Sequence, residues 1–199
     1  MIKAIVFDWH GVLDKVSLIG FVEILKRNTH LSEDRLLELI RPIDRKITIG
    51  EINKDQFIED VYDATGINKA KILEATNYID QVIKDEELWR LVEKLRKKYK
   101  LGILSDAPTY KTERIKYFVN LDRFFDAYIF SSDVGMRKDN PKMFDLICEL
   151  LNTKPAETLF VDDLERNIER AKKLGFETFL YEDAKELENY FRNNLGFTT

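Results

Sequence analysis

Residues 2–13 read Ile2-Lys3-Ala4-Ile5-Val6-Phe7-Asp8-Trp9-His10-Gly11-Val12-Leu13. A largely apolar run ends on one carboxylate, and a glycine-containing turn follows. Such a run suits a strand covered on both faces. Asp8, at its carboxyl end, then has the fixed geometry that a nucleophilic carboxylate needs. On its own the pattern is weak, because an Asp after a strand is most often a turn residue or a helix cap. Three later stretches add weight: Leu104-Ser105-Asp106, Arg137-Lys138 and Val161-Asp162-Asp163. Each polar cluster falls at or soon after the end of an apolar segment.

Working outward, five apolar segments read as strands: Ile2–Asp8, Leu101–Ser105, Ala127–Phe130, Thr158–Asp162 and Thr178–Tyr181. Helical spacing separates the later ones. Leu88, Leu91, Val92 and Leu95 form one stripe; Met143, Ile147, Leu150 and Leu151 form another, with Pro141 at a first turn. Ile168, Ala171 and Leu174 form a third, and Gly175 is a helix stop. This alternation predicts an α/β fold, a doubly wound, Rossmann-like parallel sheet. Ligands of such sheets bind beyond the carboxyl ends of the strands, where every polar cluster above falls.

Between the first two strands lie about 90 residues, more than a crossover needs. Leu18, Phe21, Val22 and Leu25 share a helical face, and Ser32-Glu33-Asp34 reads as a helix start before Leu36 to Ile40. Asn53 with Gln56 resembles a capping box, Ile52 with Phe57 a hydrophobic staple, and Asn68 caps a helix carrying Ile72 and Ile79. A small helical domain is therefore expected at 15–80, inserted into an α/β core formed by 1–14 and 81–199.

At 199 residues, with 34% charged and 44% hydrophobic residues, the chain suits a globular protein. A net charge of −4 and no long basic run argue against a nucleic-acid partner. Cys148, the single cysteine, lies in an apolar helical pattern and reads as a buried structural thiol. Ile2 to Phe7 is too short for a signal-peptide core, and no apolar stretch approaches a membrane span, so no membrane partner and a cytoplasmic location are expected.

Asp8, Ser105, Lys138 and Asp162-Asp163 together resemble, in order and spacing, the four motifs of the haloacid dehalogenase-like (HAD) superfamily. The resemblance covers nearly the whole chain. It implies a helical cap inserted after the first motif, Asp8 as nucleophile, Ser105 and Lys138 as phosphate-binding groups, and Lys138 as a catalytic cation. It also implies a Mg2+ site of Asp8, Asp162, Asp163 and the backbone carbonyl of His10. Mg2+ suits a reaction between two anions: it prefers oxygen ligands and shares its shell with phosphate. Arg137 and Asp106 receive no role.

The chain departs from the motif at His10, where the family has an acid/base Asp. An imidazole with an ordinary pKa near 6.5 can donate or accept a proton at neutral pH, although a nearby cation disfavours imidazolium. Three readings stay open: His10 as catalytic acid/base, His10 as a spectator, or a catalytically impaired binding protein. The leading expectation is a Mg2+-dependent phosphatase acting on a small phosphorylated metabolite through an aspartyl-phosphate on Asp8. The alternatives are a metal-independent 2-haloacid dehalogenase-type hydrolase, against which Asp162-Asp163 speaks, and the binding protein. A phosphonate hydrolase would need a Schiff-base lysine, and Lys26, Lys46 and Lys54 are its candidates. Trp9 is expected either over the substrate or packed beside the sheet, and Tyr62, Arg41 and Arg45 are possible substrate contacts. Oligomeric state is open.

Overall fold

All five apolar runs become strands in the computed structural model, which describes residues 1–196. They are β1 (Ala4–Phe7), β2 (Lys100–Ser105), β3 (Ala127–Phe130), β4 (Thr158–Asp162) and β5 (Glu177–Leu180). The first is shorter than expected at both ends, and the last is shifted by one residue. All pairings are parallel, in the order β3-β2-β1-β4-β5. Phe7 pairs with Ile103 on one side and Val161 on the other. That register brings Asp8, Ser105 and Asp162 to one edge of the sheet.

The helices are α1 (Leu18–Lys26), α2 (Glu33–Thr48), α3 (Lys54–Thr65), α4 (Lys69–Ile79), α5 (Glu86–Leu95), α6 (Thr109–Phe118), α7 (Leu121–Phe124), α8 (Ser131–Val134), α9 (Pro141–Leu151), α10 (Glu165–Lys173) and α11 (Ala184–Leu195). Residues of α5, α6, α7 and α11 join one apolar cluster against the sheet, and those of α9 and α10 join a second. Helices α1 to α4 enclose a third cluster of their own, around Phe21, Leu36, Ile40, Phe57 and Ile72. Their starts are set by side-chain caps at Ser17, Ser32, Asn53 and Asn68, and Asn53 with Gln56 forms the full capping box. Helix α2 continues through Pro42, which offers no backbone N–H to the helix.

One detail differs from the sequence expectation, and one open alternative is resolved. Leu150 is 62% exposed and points away from the core that Met143, Ile147 and Leu151 fill. Trp9 is fully buried, meets Trp89 edge-on at 6.1 Å, and donates from Nε1 to Asp14, so it packs beside the sheet. Cys148 is buried, as expected, and burial raises its thiol pKa. No helix among the described residues is long and apolar enough to cross a membrane.

A buried ion pair fixes the two connections between the inserted helices and the sheet. Asp14 and Lys111 are both fully enclosed, with Nζ 2.8 Å from Oδ2. Asp14 also accepts from Trp9 Nε1, from the backbone N–H of Val16 at 3.2 Å and from that of Ile83 at 2.8 Å. Lys111 donates to the carbonyls of Ile79, at 2.9 Å, and Gln81. The outgoing connection at Val16 and the returning one at Ile79 to Ile83 are thus tied to one carboxylate and one ammonium. Removing one partner of such a pair strands a buried charge. Lys111→Met is expected to lower unfolding free energy by about 3–5 kcal/mol in a denaturant titration; a loss under 1 kcal/mol would show that water enters the site. Cys148 is expected to stay unreactive toward a thiol reagent in the folded protein and to react fully once denatured.

Candidate active site

The carboxyl edge gathers the residues singled out in sequence, in unequal roles. Asp8 extends β1, with its backbone N–H donating to Val161 O at 2.8 Å. Its Oδ1 accepts from the Trp9 backbone N–H at 2.6 Å, and its Oδ2 stands 2.7 Å from Lys138 Nζ. The same ammonium is 2.7 Å from Asp162 Oδ2. Asp162 is fully buried and also accepts from Asn167 Nδ2, at 3.0 Å to each oxygen, and from the Leu164 backbone N–H at 2.9 Å. Both its oxygens are engaged. Asp163, by contrast, has a buried Oδ1 with no hydrogen-bond partner.

The electrostatics follow from this crowding. Burial pushes Asp8 up to about 8; Asp162 and Asp163 add to the push and Lys138 opposes it. Burial, then Asp162, raises Asp163 to about 6. Burial works against the Lys138 ammonium, yet Asp162 and Asp8 outweigh it and hold Lys138 above its ordinary value. His10 is lowered to about 3, first by burial and then by the charges of Lys111 and Lys138. Its Nε2 is buried without a partner. The imidazole is therefore neutral at pH 7.

Asp8, Asp162 and Asp163 each offer a carboxylate oxygen within 4.8 Å of one another. Together with the unpartnered Asp163 oxygen and the raised carboxylates, this donor set fits a hard divalent cation. Asp8, His10, Lys138 and Asp163 line a cavity of about 160 Å³. Its remaining walls include Leu18, Ile19, Leu37, Ile47 and Phe57 from the inserted helices and Asp106, Pro108 and Tyr110 from the segment after β2. Ser105 is fully enclosed and does not line the cavity, and its Oγ has no partner.

Sequence reasoning missed Asp106, Arg137, Asp44 and Asn167. Asp106 accepts from the Lys138 backbone N–H at 3.0 Å and from Arg137 Nε at 3.1 Å. Arg137 Nη1 reaches into α2, to Asp44 at 2.9 Å and Thr48 Oγ1 at 2.8 Å. Arg137 thus joins the sheet edge to the inserted helices. Asn167, five residues after Asp162 on the first turns of α10, had a signal only in its helical spacing. Of the possible contacts from the inserted helices, Arg41 lines the cavity, while Arg45 pairs with Asp139 and Tyr62 lies elsewhere. Lys26, Lys46 and Lys54 pair with Glu33, Asp60 and Asp80, and none lines the cavity.

Gly11 sits between these parts with φ +78°, and a Cβ there would lie 2.1 Å from Asp163 Oδ2. Gly11→Ala is expected to cost about 1–2 kcal/mol of stability from the left-handed backbone alone. It should also push Asp163 aside, read as lost divalent-cation binding by calorimetry. Unchanged cation binding would show that Asp163 is not a ligand.

With the geometry in place, three comparisons bear on the chain. A family model described as haloacid dehalogenase-like hydrolase matches residues 2–175. The chain is 28% identical over 203 residues to D-ribitol-5-phosphate phosphatase of Bacteroides thetaiotaomicron, covering 94% of this chain and 95% of that one. It is 32% identical over 101 residues to pyrophosphatase PpaX of Bacillus mycoides, covering 50% and 47%. Among solved structures, it superposes on a HAD family enzyme from Bacteroides thetaiotaomicron with TM-score 0.77 and 23% identity, over 96% of this chain and 99% of that chain. The magnesium complex of that enzyme superposes with TM-score 0.76, and L-2-haloacid dehalogenase from Xanthobacter autotrophicus with TM-score 0.65 at 20% identity, so these likenesses show the fold. Since the family model spans most of the chain and the sheet edge carries the four motifs in place, the protein belongs to the haloacid dehalogenase-like hydrolases.

Proposed function

We propose that the chain is a Mg2+-dependent phosphatase of a small cytoplasmic phosphomonoester, working through an aspartyl-phosphate on Asp8. The observation that carries the reading is the Asp8–Lys138 pair at 2.7 Å beside the unpartnered Asp163 oxygen, at the wall of one small cavity. The helices over 15–80 act as a cap on the core of 1–14 and 81–199. Their apolar side chains face the cavity and limit water there. Relatives named as a phosphatase and a pyrophosphatase support the same class. The acidic cluster speaks against the metal-independent dehalogenase.

Asp8 attacks phosphorus; a P–O bond to Asp8 forms as the ester P–O bond breaks. The Trp9 N–H and Lys138 fix the carboxylate's orientation. Lys138 neutralises charge on the phosphoryl oxygens, held in place by Asp162. Mg2+, held by Asp8, Asp163 and the His10 carbonyl, would supply positive charge between the two anions and favour ionised Asp8. Asp162, whose oxygens also hold Lys138, Asn167 and the Leu164 N–H, would join the metal directly or through water. Ser105 Oγ, buried at the same sheet edge and free of any partner, is the hydroxyl assigned to bind a phosphate oxygen.

His10 takes half of the acid/base work. A neutral imidazole has no proton ready for a departing alkoxide, but its free Nε2 can orient the water that opens the aspartyl-phosphate. The first step then depends on how well the leaving group departs unaided.

Hydrolysis of an aryl phosphate is expected with Mg2+, to disappear with chelator, and to fall to the blank in Asp8→Asn. Turnover that survives either change would overturn the reading. His10→Asp, which restores a carboxyl donor, is expected to raise alkyl phosphate turnover by roughly 10²-fold or more while changing aryl phosphate turnover far less. Equal effects on both esters would remove His10 from the first step.

A further inference from the structure

A second cavity of about 190 Å³ shares Arg41, Asp44, Asp106, Arg137 and Arg166 with the catalytic one. Arg45, Asp139 and Arg170 complete its charged lining. The three carboxylates are already taken. Arg137 holds Asp44 and Asp106, and Arg45 holds Asp139. Among the described residues, Arg41 and Arg166 have no carboxylate within ion-pair distance. Arg170 donates only to the neutral Asn167 Oδ1, at 3.1 Å.

A single solvated arginine is ordinary on a protein surface. Here three guanidinium groups that make no ion pair line one concavity, with Asp44 and Asp163 acting on Arg166, and Asp139 on Arg170, only from beyond contact distance, and Arg166 and Arg170 lie one turn apart on α10, where like charges repel. Arg41 comes from α2 and Arg166 from α10, so the charges converge from both sides of the catalytic cavity. Guanidinium forks match the oxygens of carboxylate and phosphate.

We propose that this second cavity binds an anionic group of the substrate other than the scissile phosphate, a carboxylate or a second phosphate. The proposal rests on the reading of Asp8 as a phosphatase nucleophile. With the scissile phosphate at Asp8 and Lys138, the remote anion lies against Arg41 and Arg166, with Arg170 one turn behind. Arg137 does not serve, since Asp44, Asp106 and Thr48 fix its guanidinium. The substrate is therefore a short phosphorylated acid or bisphosphate, not a neutral polyol phosphate.

The test uses glycerol 3-phosphate, 3-phosphoglycerate and glycerol 1,3-bisphosphate at fixed free Mg2+. The first two differ only in whether the far carbon is a hydroxymethyl or a carboxylate. At least one anionic ester is expected to exceed glycerol 3-phosphate in kcat/KM by roughly tenfold, carried by KM; which one does so tells carboxylate from phosphate. The double variant Arg41→Gln with Arg166→Gln, checked for folding by circular dichroism, is expected to bring the ratio near unity. An equal kcat/KM for all three, or a ratio unchanged in the variant, overturns the subsite. Calorimetry on Asp8→Asn reads the same preference without catalysis. Equal or unmeasurable binding of the three esters overturns the subsite even where aryl phosphate turnover stands. A preference that the arginine variant abolishes, with no turnover of any ester by the wild type, keeps the subsite and overturns the phosphatase reading.

Discussion

Lys138 Nζ stands 2.7 Å from Asp8 Oδ2 and 2.7 Å from Asp162 Oδ2, with almost no access to water. An ammonium in that position has to be paired, and its pairing orders everything around it. Asp162 is taken up by it, with Asn167 and the Leu164 N–H filling the remaining lone pairs. Asp8 is held in one orientation between Lys138 and its own neighbour's N–H. Asp163 is left with an oxygen that no protein group satisfies. Burial raises Asp8 and Asp163, and three carboxylates against one ammonium add to the shift. The sheet register that sets Phe7 between Ile103 and Val161 is what forces these groups together.

The second buried pair, Asp14 with Lys111, does for the chain connections what Lys138 does for the carboxylates. It anchors both segments that leave and re-enter the sheet domain, and Arg114 Nε adds a bond to Asp80 O at 2.8 Å. On the opposite side Arg137 grips α2 through Asp44 and Thr48, and Ser131 Oγ donates to Thr48 O at 2.5 Å. Asp106 accepts from both Arg137 and the Lys138 backbone. The peptide that carries Lys138 thus also carries the guanidinium that holds α2 down.

The sheet was legible because its strands are short, mostly apolar runs, and the site residues sit where those runs stop. Helix α6 was not, because its core-facing residues are Lys111, Thr112 and Ile115, so no apolar stripe marks it. Asp44 was hidden, and Arg137 and Asp106 were left without a role, because ion pairs between segments 31 and 93 residues apart leave no local pattern to read. Leu150 misled for the converse reason, since an apolar residue next to a real stripe need not face the core. Asp162 and Asp163 look equivalent as neighbours in sequence. The strand ends between them, leaving Asp162 paired with Lys138 on β4 and Asp163 in the following bend at the cavity.

His10 is best understood from the charge around it. A carboxylate at that position would be a further anion beside a group already raised to about 8 by burial and two acidic neighbours. An imidazole, held neutral there, adds none. The exchange lowers the charge density that Lys138 must balance, at the expense of a proton donor for the leaving group. In the proposed phosphatase, a site without that donor would work best on esters whose leaving oxygen departs without help, or whose departure the pocket stabilises by other means.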